Sequence, residues 1–153
     1  KIEAGEMVIK PVPVDINDIV CRTVFTFEKA IEEKRLDIRG LDVDKIMVEA
    51  DPDLIHQVVY NLIDNAVEAC EQLPVEQRFL RLYIGIFRKQ LYISVTNATG
   101  ELVRKLDEEY ITTKRGNHGH GLKRINNTVE KYGGFINRKN EPGVFATEIM
   151  LPL

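Results

Sequence analysis

Long apolar runs are missing from this sequence. None of its 153 residues lies in a run approaching 18, so no segment reads as a membrane-spanning helix, and no signal peptide opens the chain. Cysteine is scarce. The two present, Cys21 and Cys70, fall in apolar helical patterns without CxxC or Cys/His spacing for zinc, and so read as buried thiols in a reducing compartment. Surplus positive charge is also lacking. A net charge of −3 argues against a broad basic face for nucleic acid, while leaving room for a local cationic pocket for an anion. The two common nucleotide loops are absent: there is no GxxxxGKS or GxxxxGKT, and no GxGxxG opens directly from a strand. Internal repeats and low-complexity segments are absent too. Because Lys1 stands where a start methionine would, we expect the sequence to be a piece of a longer protein.

What is present reads as one domain, long enough to bury roughly two-thirds of its unfolded surface. Residues 1–14 are expected to be extended, since the two prolines of KPVPV exclude a helix. Asp15 is placed as an N-cap. Ile16, Val20, Val24, Phe27 and Ile31 then follow at helical spacing, which predicts a helix over about 15–34. Loose alternation around Gly40 predicts one or two strands in 35–49. Asp51-Pro52 opens a second helix running to about Gln72. Strict alternation then predicts a hairpin, 78–87 with 90–97. From Thr96 to about His118 there is little regular signal beyond a turn of helix near 102–109, and long loops of this kind usually carry function. A third helix is expected over about 120–132, with Leu122, Ile125, Val129 and Tyr132 inward. It should end at Gly133-Gly134, and a closing hairpin of Phe135-Ile136 with 144–151 turns at Glu141-Pro142-Gly143. Paired hairpins argue for a mixed, largely antiparallel sheet with helices on one face.

Three stretches carry chemistry. On a helical wheel of 51–72, Ile55, Val58, Val59, Leu62, Ile63, Ala66 and Cys70 share an apolar side, and Gln57, Asn61, Asn65, Glu68 and Gln72 share the other. A solvated face would favour Lys, Glu and Arg, because a mid-helix asparagine costs up to about 0.6 kcal/mol against alanine. Stacked amide oxygens can instead meet a hard cation such as Mg²⁺, which takes few protein ligands and keeps places for phosphate and water. The second stretch, RGNHGHGLKRI (115–125), places Gly116, Gly119 and Gly121 at a helix start, where close backbone N–H groups and the helix dipole suit a polyphosphate. His118 and His120 have no third metal ligand nearby. The third, ISVTNATGEL, ends a strand in Asn97 and Gly100. An asparagine there can read a base edge, and the same four residues also make an ordinary turn.

Taken in order, these stretches resemble the GHKL ATP-binding (HATPase) domain, shared by gyrase, the heat-shock chaperone, histidine kinases and mismatch-repair ATPases. QVVYNLIDNAVEA resembles its N box, ISVTNATG a weakened first glycine box, and HGHGLKRINNTVEKYGG the second glycine box with its helix. The ending EIMLPL is similar to that of histidine-kinase catalytic domains. TTKRGNHGHGL is similar to the short lid of kinases that sense peptides or small molecules. The resemblance implies a Bergerat-type two-layer α/β sandwich over residues 15–153, with about three helices on one face and 1–14 as an extended lead-in from a preceding segment. It implies ATP and Mg²⁺ as cofactors. Asn61 and Asn65 would hold the magnesium–phosphate unit. Gly119, His120, Gly121 and Leu122 would offer backbone N–H groups, and Lys114 would reach the phosphates. Asn97, with Gly100 beyond it, would read adenine; the family usually has aspartate at Asn97 and glycine at Thr99.

The implied activity is protein-histidine kinase, with Asn61 and Lys114 as the catalytic candidates. The ATPase branch carries a glutamate one turn before the metal asparagine, and here that position is Asn61, which favours transfer over hydrolysis. The acceptor histidine would lie on a helical dimerisation segment of the same protein. His56 is placed for packing or solvent instead. A response regulator would be the next partner, with no nucleic acid and no direct membrane contact from this piece. The implied location is cytoplasmic, as the cytoplasmic domain of a membrane-bound bacterial sensor kinase, and the piece alone is expected to be a monomer. Two other readings stay open: a nucleotide-gated, non-catalytic interaction domain, and a serine kinase of the anti-sigma-factor type.

Overall fold

The structure, a computed structural model, describes residues 8–41, 44–99 and 125–153. Strand β1 (Val12–Asp15) leads into helices α1 (Ile16–Thr26) and α2 (Glu28–Glu33). Strands β2 (Asp37–Arg39) and β3 (Met47–Ala50) precede the long helix α3 (Pro52–Cys70). The hairpin β4 (Phe79–Phe87) and β5 (Gln90–Ala98) follows. Helix α4 (125–131) then leads into the hairpin β6 (Phe135–Glu141) and β7 (Val144–Pro152).

Five strands form one sheet in the order β2-β4-β5-β7-β6. β2 runs parallel to β4 and every other pairing is antiparallel, so the sheet is mixed as expected. Alternation decides its faces. Leu80, Leu82, Ile84, Leu91, Ile93, Val95, Ile149 and Leu151 are buried in one core with Ile16 and Val20 of α1, Ile55, Val59 and Ile63 of α3, and Ile125 and Val129 of α4. Each such side chain contributes about 1.5–3 kcal/mol by leaving water. The opposite face exposes Tyr83, Phe87 and Phe135. This is the two-layer sandwich that the family resemblance implies, with the helices on one face as the paired hairpins suggest.

The N-cap expected at Asp15 and the helix start expected at Asp51-Pro52 are both found. Asp15 accepts from Asn17 N at 3.1 Å, and it also takes Ile46 N at 3.0 Å, tying the start of α1 to the approach of β3. Asp51 accepts from Asp53 N and Leu54 N, with Pro52 in the first turn.

Four differences from the expected elements have physical reasons. The single helix expected over 15–34 is two, broken at Phe27 (φ −94°, ψ 8°), whose N–H bonds Val24 O in a tightened turn. Thr23 and Thr26 hydroxyls bond the carbonyls of Ile19 and Arg22, a back-bonding that bends helices. Phe27 turns into the core and packs 4.8 Å from the Tyr60 ring. Second, β3 leaves the main sheet to pair with β1 in a separate two-stranded ribbon, Val12 opposite Ala50 through Asp15 opposite Met47. Third, β6 runs on through polar Asn137, Lys139 and Glu141, which an edge strand tolerates. Gly134 lets it close against β7, since a Cβ there would stand 2.3 Å from Met150 O. Finally, Cys70 is buried as expected, whereas Cys21 is only half-buried, because its side of α1 borders a surface groove.

Candidate functional site

The second half of α3 sinks into the molecule. Leu62, Ile63, Asn65, Ala66 and Val67 are all buried, so the polar side read from the wheel is not uniform. Gln57 and Gln72 are exposed, Asn61 and Glu68 half-buried, and Asn65 only 8% exposed. A wheel gives the direction of a side chain but not the depth at which it lies. The Asn65 Nδ2 is buried and finds no hydrogen-bond partner among the described residues. Buried polar groups are nearly always paired, and an unpaired amide costs about 1–3 kcal/mol. On the first half of α3, His56 is exposed, with Nδ1 3.0 Å from Thr23 Oγ1 and its ring 6.0 Å from Tyr60.

Asn97 sits near the end of the central strand β5, between Leu80 of β4 and Phe145 of β7, and is 4% exposed. Its Nδ2 donates to Ala98 O at 3.0 Å, which commits one amide hydrogen and orients the group. The Cys70 thiol donates to Phe79 O at 3.3 Å and reaches Ala98 O at 3.9 Å. The end of α3 therefore lies over the strand end that carries Asn97. Burial pushes the Cys70 pKa up, which keeps the thiol protonated as a donor. Thr99 is buried, and its N–H bonds Gly143 O at 2.9 Å, anchoring the chain just beyond the strand.

At the other end of α3, Asp51 joins three segments. Its Oδ2 accepts from Lys10 N at 3.0 Å, its Oδ1 caps α3, and its own N–H donates to the Tyr132 hydroxyl at 2.7 Å. Burial raises the Tyr132 pKa, so the hydroxyl stays neutral. The sequence showed Asp51 only as a helix start. Its reach to Tyr132, 81 residues on, has no local signal. Arg138 of β6 bonds Asn126 at 2.8 Å and holds α4 from its other side. Gly100, Lys114, Gly119, His120, Gly121 and Leu122 lie outside the described residues, as do His118 and the expected turn near 102–109.

The GHKL domain family matches residues 52–152, from the first turn of α3 to the last strand. The chain belongs to this family. The sensor histidine kinase ZraS of Escherichia coli (strain K12) is 29% identical to this GHKL chain over 139 residues, covering 88% of the chain and 29% of ZraS. The chain thus spans less than a third of that relative's length. Among solved structures, the nucleotide-free catalytic domain of the histidine kinase ThkA has a TM-score of 0.79 at 24% identity, covering 94% of this chain and 95% of that one. ThkA is also solved in complex with the response regulator protein TrrA (TM-score 0.76, 23% identity, 97% of this chain and 43% of that one). Full-length ShkA in complex with AMPPNP has a TM-score of 0.80 at 17% identity, covering 95% and 32%. These structural likenesses show the fold.

The described residues of this GHKL chain suit a magnesium–phosphate group. Asn65 holds a buried donor without an acceptor, and a phosphate oxygen is an acceptor. Its carboxamide oxygen is the hard ligand that Mg²⁺ takes. No cluster of three His, Cys, Asp or Glu side chains that could hold a metal stands among the described residues.

Proposed function

We propose that this GHKL domain binds ATP with Mg²⁺ and transfers the γ-phosphoryl group to a histidine on a helical dimerisation segment of the same protein. The phosphoryl group then passes to a response regulator. The observation that carries this reading is the buried Asn65 amide, whose Nδ2 has no hydrogen-bond partner among the described residues, on the helix that begins the GHKL match. Support for the kinase branch comes from the likeness to ZraS and from Asn61, which puts a carboxamide where a water-activating glutamate would be needed for hydrolysis.

In this reading Asn65 and Asn61 hold the magnesium–phosphate unit. Bound Mg²⁺ supplies neutralisation of phosphate charge. Asn97 offers its oxygen to the adenine amine, with Ala98 O fixing which way the amide faces. Gly100 is assigned to the same base-reading stretch by its place in the sequence. Gly119, His120, Gly121 and Leu122 present N–H groups to the phosphates, and Lys114 adds a cation. Transfer forms a phosphorus–nitrogen bond on the acceptor imidazole, breaks the bond to ADP and releases the imidazole proton to water. Residues 15–153 form the catalytic unit, residues 1–14 lead into it, and TTKRGNHGHGL supports the peptide- or small-molecule-sensing subtype. The reading places this piece as the cytoplasmic domain of a membrane-bound kinase; among the described residues no helix is long and apolar enough to cross a membrane.

The test has two stages. Calorimetric titration of ATP with and without Mg²⁺ should show magnesium-dependent binding that Asn65→Ala abolishes. Addition of the histidine-bearing segment with γ-labelled ATP should then label that segment. Binding without labelling leaves a nucleotide-gated interaction domain, and absence of binding defeats the nucleotide reading altogether.

A further inference from the structure

Two surface features at opposite ends of the sandwich match one another. The first is the tip of the β4–β5 hairpin. Arg88 and Lys89 both take left-handed conformations (φ 50° and 62°), so the connection is a tight two-residue turn, and Lys89 O accepts from Leu153 N at 3.0 Å beside it. Phe87 beside it is 61% exposed, and the Arg88 guanidinium lies over its ring at 5.2 Å from the centroid. The tip is therefore one aromatic knob with two cations.

The second is a groove of about 390 Å³ between the α1–α2 bend and β2. Phe25, Ile31, Ile38 and Leu41 give it apolar walls, and Phe25 is 69% exposed. Glu28 and Glu32, one helical turn apart on α2, add two acidic residues to its lining. Among the described residues, Glu28, Glu32, Arg88 and Lys89 have no ion-pair partner. An apolar slot with two unpaired anions thus faces the requirements of an aromatic knob with two unpaired cations.

Within one molecule the two cannot meet. Ile38 on the groove pairs in register with Leu80, and Phe87 lies seven residues further along β4, about 24 Å away. The geometry points to a second copy of this chain as the occupant, with Phe87 of one copy in the groove of the other and Arg88 and Lys89 against Glu28 and Glu32. The contact is smaller than the roughly 800 Å² per partner of a standard interface, so it is weak and salt-sensitive, with dissociation near the millimolar range. It replaces the monomer expected from the family resemblance with a concentration-dependent association. Where two copies are already held together, their effective concentration is itself of millimolar order, which makes such a contact effective.

Sedimentation of the chain from micromolar to about 1 mM at low salt tests this. The mean mass should rise above 17.5 kDa with concentration. The exposed charge reversals Arg88→Glu with Lys89→Glu, and separately Glu28→Lys with Glu32→Lys, should each weaken association roughly tenfold. Mixing the two reversed proteins should restore it. Cys21 lines the groove, so its reaction with a thiol reagent should slow as the wild-type concentration rises, while buried Cys70 stays silent throughout. Circular dichroism checks that both variants fold. A wild-type mass fixed at the monomer value up to 1 mM would overturn the proposal, as would association that survives either reversal.

Discussion

Among the described residues the buried Asn65 Nδ2 has no hydrogen-bond partner, so its structural worth and its proposed role in binding can be measured apart. A side chain kept for stability would lose stability when replaced. Here the expectation is the reverse. Asn65→Leu keeps a side chain of similar length and removes the unsatisfied amide, so urea unfolding should show about 1 kcal/mol more stability without nucleotide, while calorimetry shows ATP binding lost. A destabilised variant that still binds ATP would contradict both halves. Asn97 poses a different problem. Aspartate, which the resemblance would place here, is not a neutral exchange, because the present amide donates to Ala98 O and a carboxylate would face that carbonyl with repulsion. In Asn97→Asp, burial and the lost donor should raise the aspartate pKa above its unfolded value. The variant should then be most stable at low pH and lose about 1–3 kcal/mol as pH rises through the folded pKa. Urea unfolding at pH 5 and pH 8 measures this, and an equal loss at both pH values would count against it.

Among the elements, what the sequence made legible was periodicity, and what it hid was pairing over distance. The β4–β5 hairpin could be read because one face is buried and the other wet, so Leu80, Leu82 and Ile84 alternate cleanly. The break in the first helix could not. Val24, Phe27 and Ile31 keep their helical spacing across it, and the interruption changes hydrogen bonds without changing which side meets the core. The β1–β3 ribbon and the Asp51–Tyr132 link were hidden for another reason: nothing near Asp51 in the chain marks a partner 81 residues away. Tyr132→Phe tests the worth of that link. It keeps the ring and leaves the Asp51 N–H without its acceptor, so it should cost about 1–2 kcal/mol in global stability. Amide exchange should also speed up selectively over 125–131, the helix that Tyr132 anchors. Exchange unchanged there would show that Arg138 and the core hold α4 without the hydroxyl.

Across the whole molecule, the helical layer was more legible than the outer sheet face, since burial leaves a hydrophobic period while surface networks leave none. On that outer face Glu148 of β7 gathers its neighbours. It accepts from Tyr92 of β5 at 2.5 Å and from Asn137 of β6 at 3.1 Å, with Lys139 of β6 3.4 Å away. The cluster ties the central strand to the edge of the sheet. The Tyr92 hydroxyl foremost, then Asn137 and Lys139, holds the Glu148 pKa below the ordinary glutamate value of 4.5. A carboxyl with a depressed folded-state pKa contributes stability above its unfolded pKa and loses it as pH falls through the folded one. The stability of this GHKL domain should therefore decline on acidification below about pH 4.5, and Glu148→Gln should flatten that part of the slope while leaving glutamine able to accept from Tyr92. Urea unfolding between pH 3 and pH 7 on both proteins decides the matter. Parallel slopes would mean that Tyr92, Asn137 and Lys139 do not hold the carboxylate in solution, and the edge of the sheet would then depend on its backbone ladder alone.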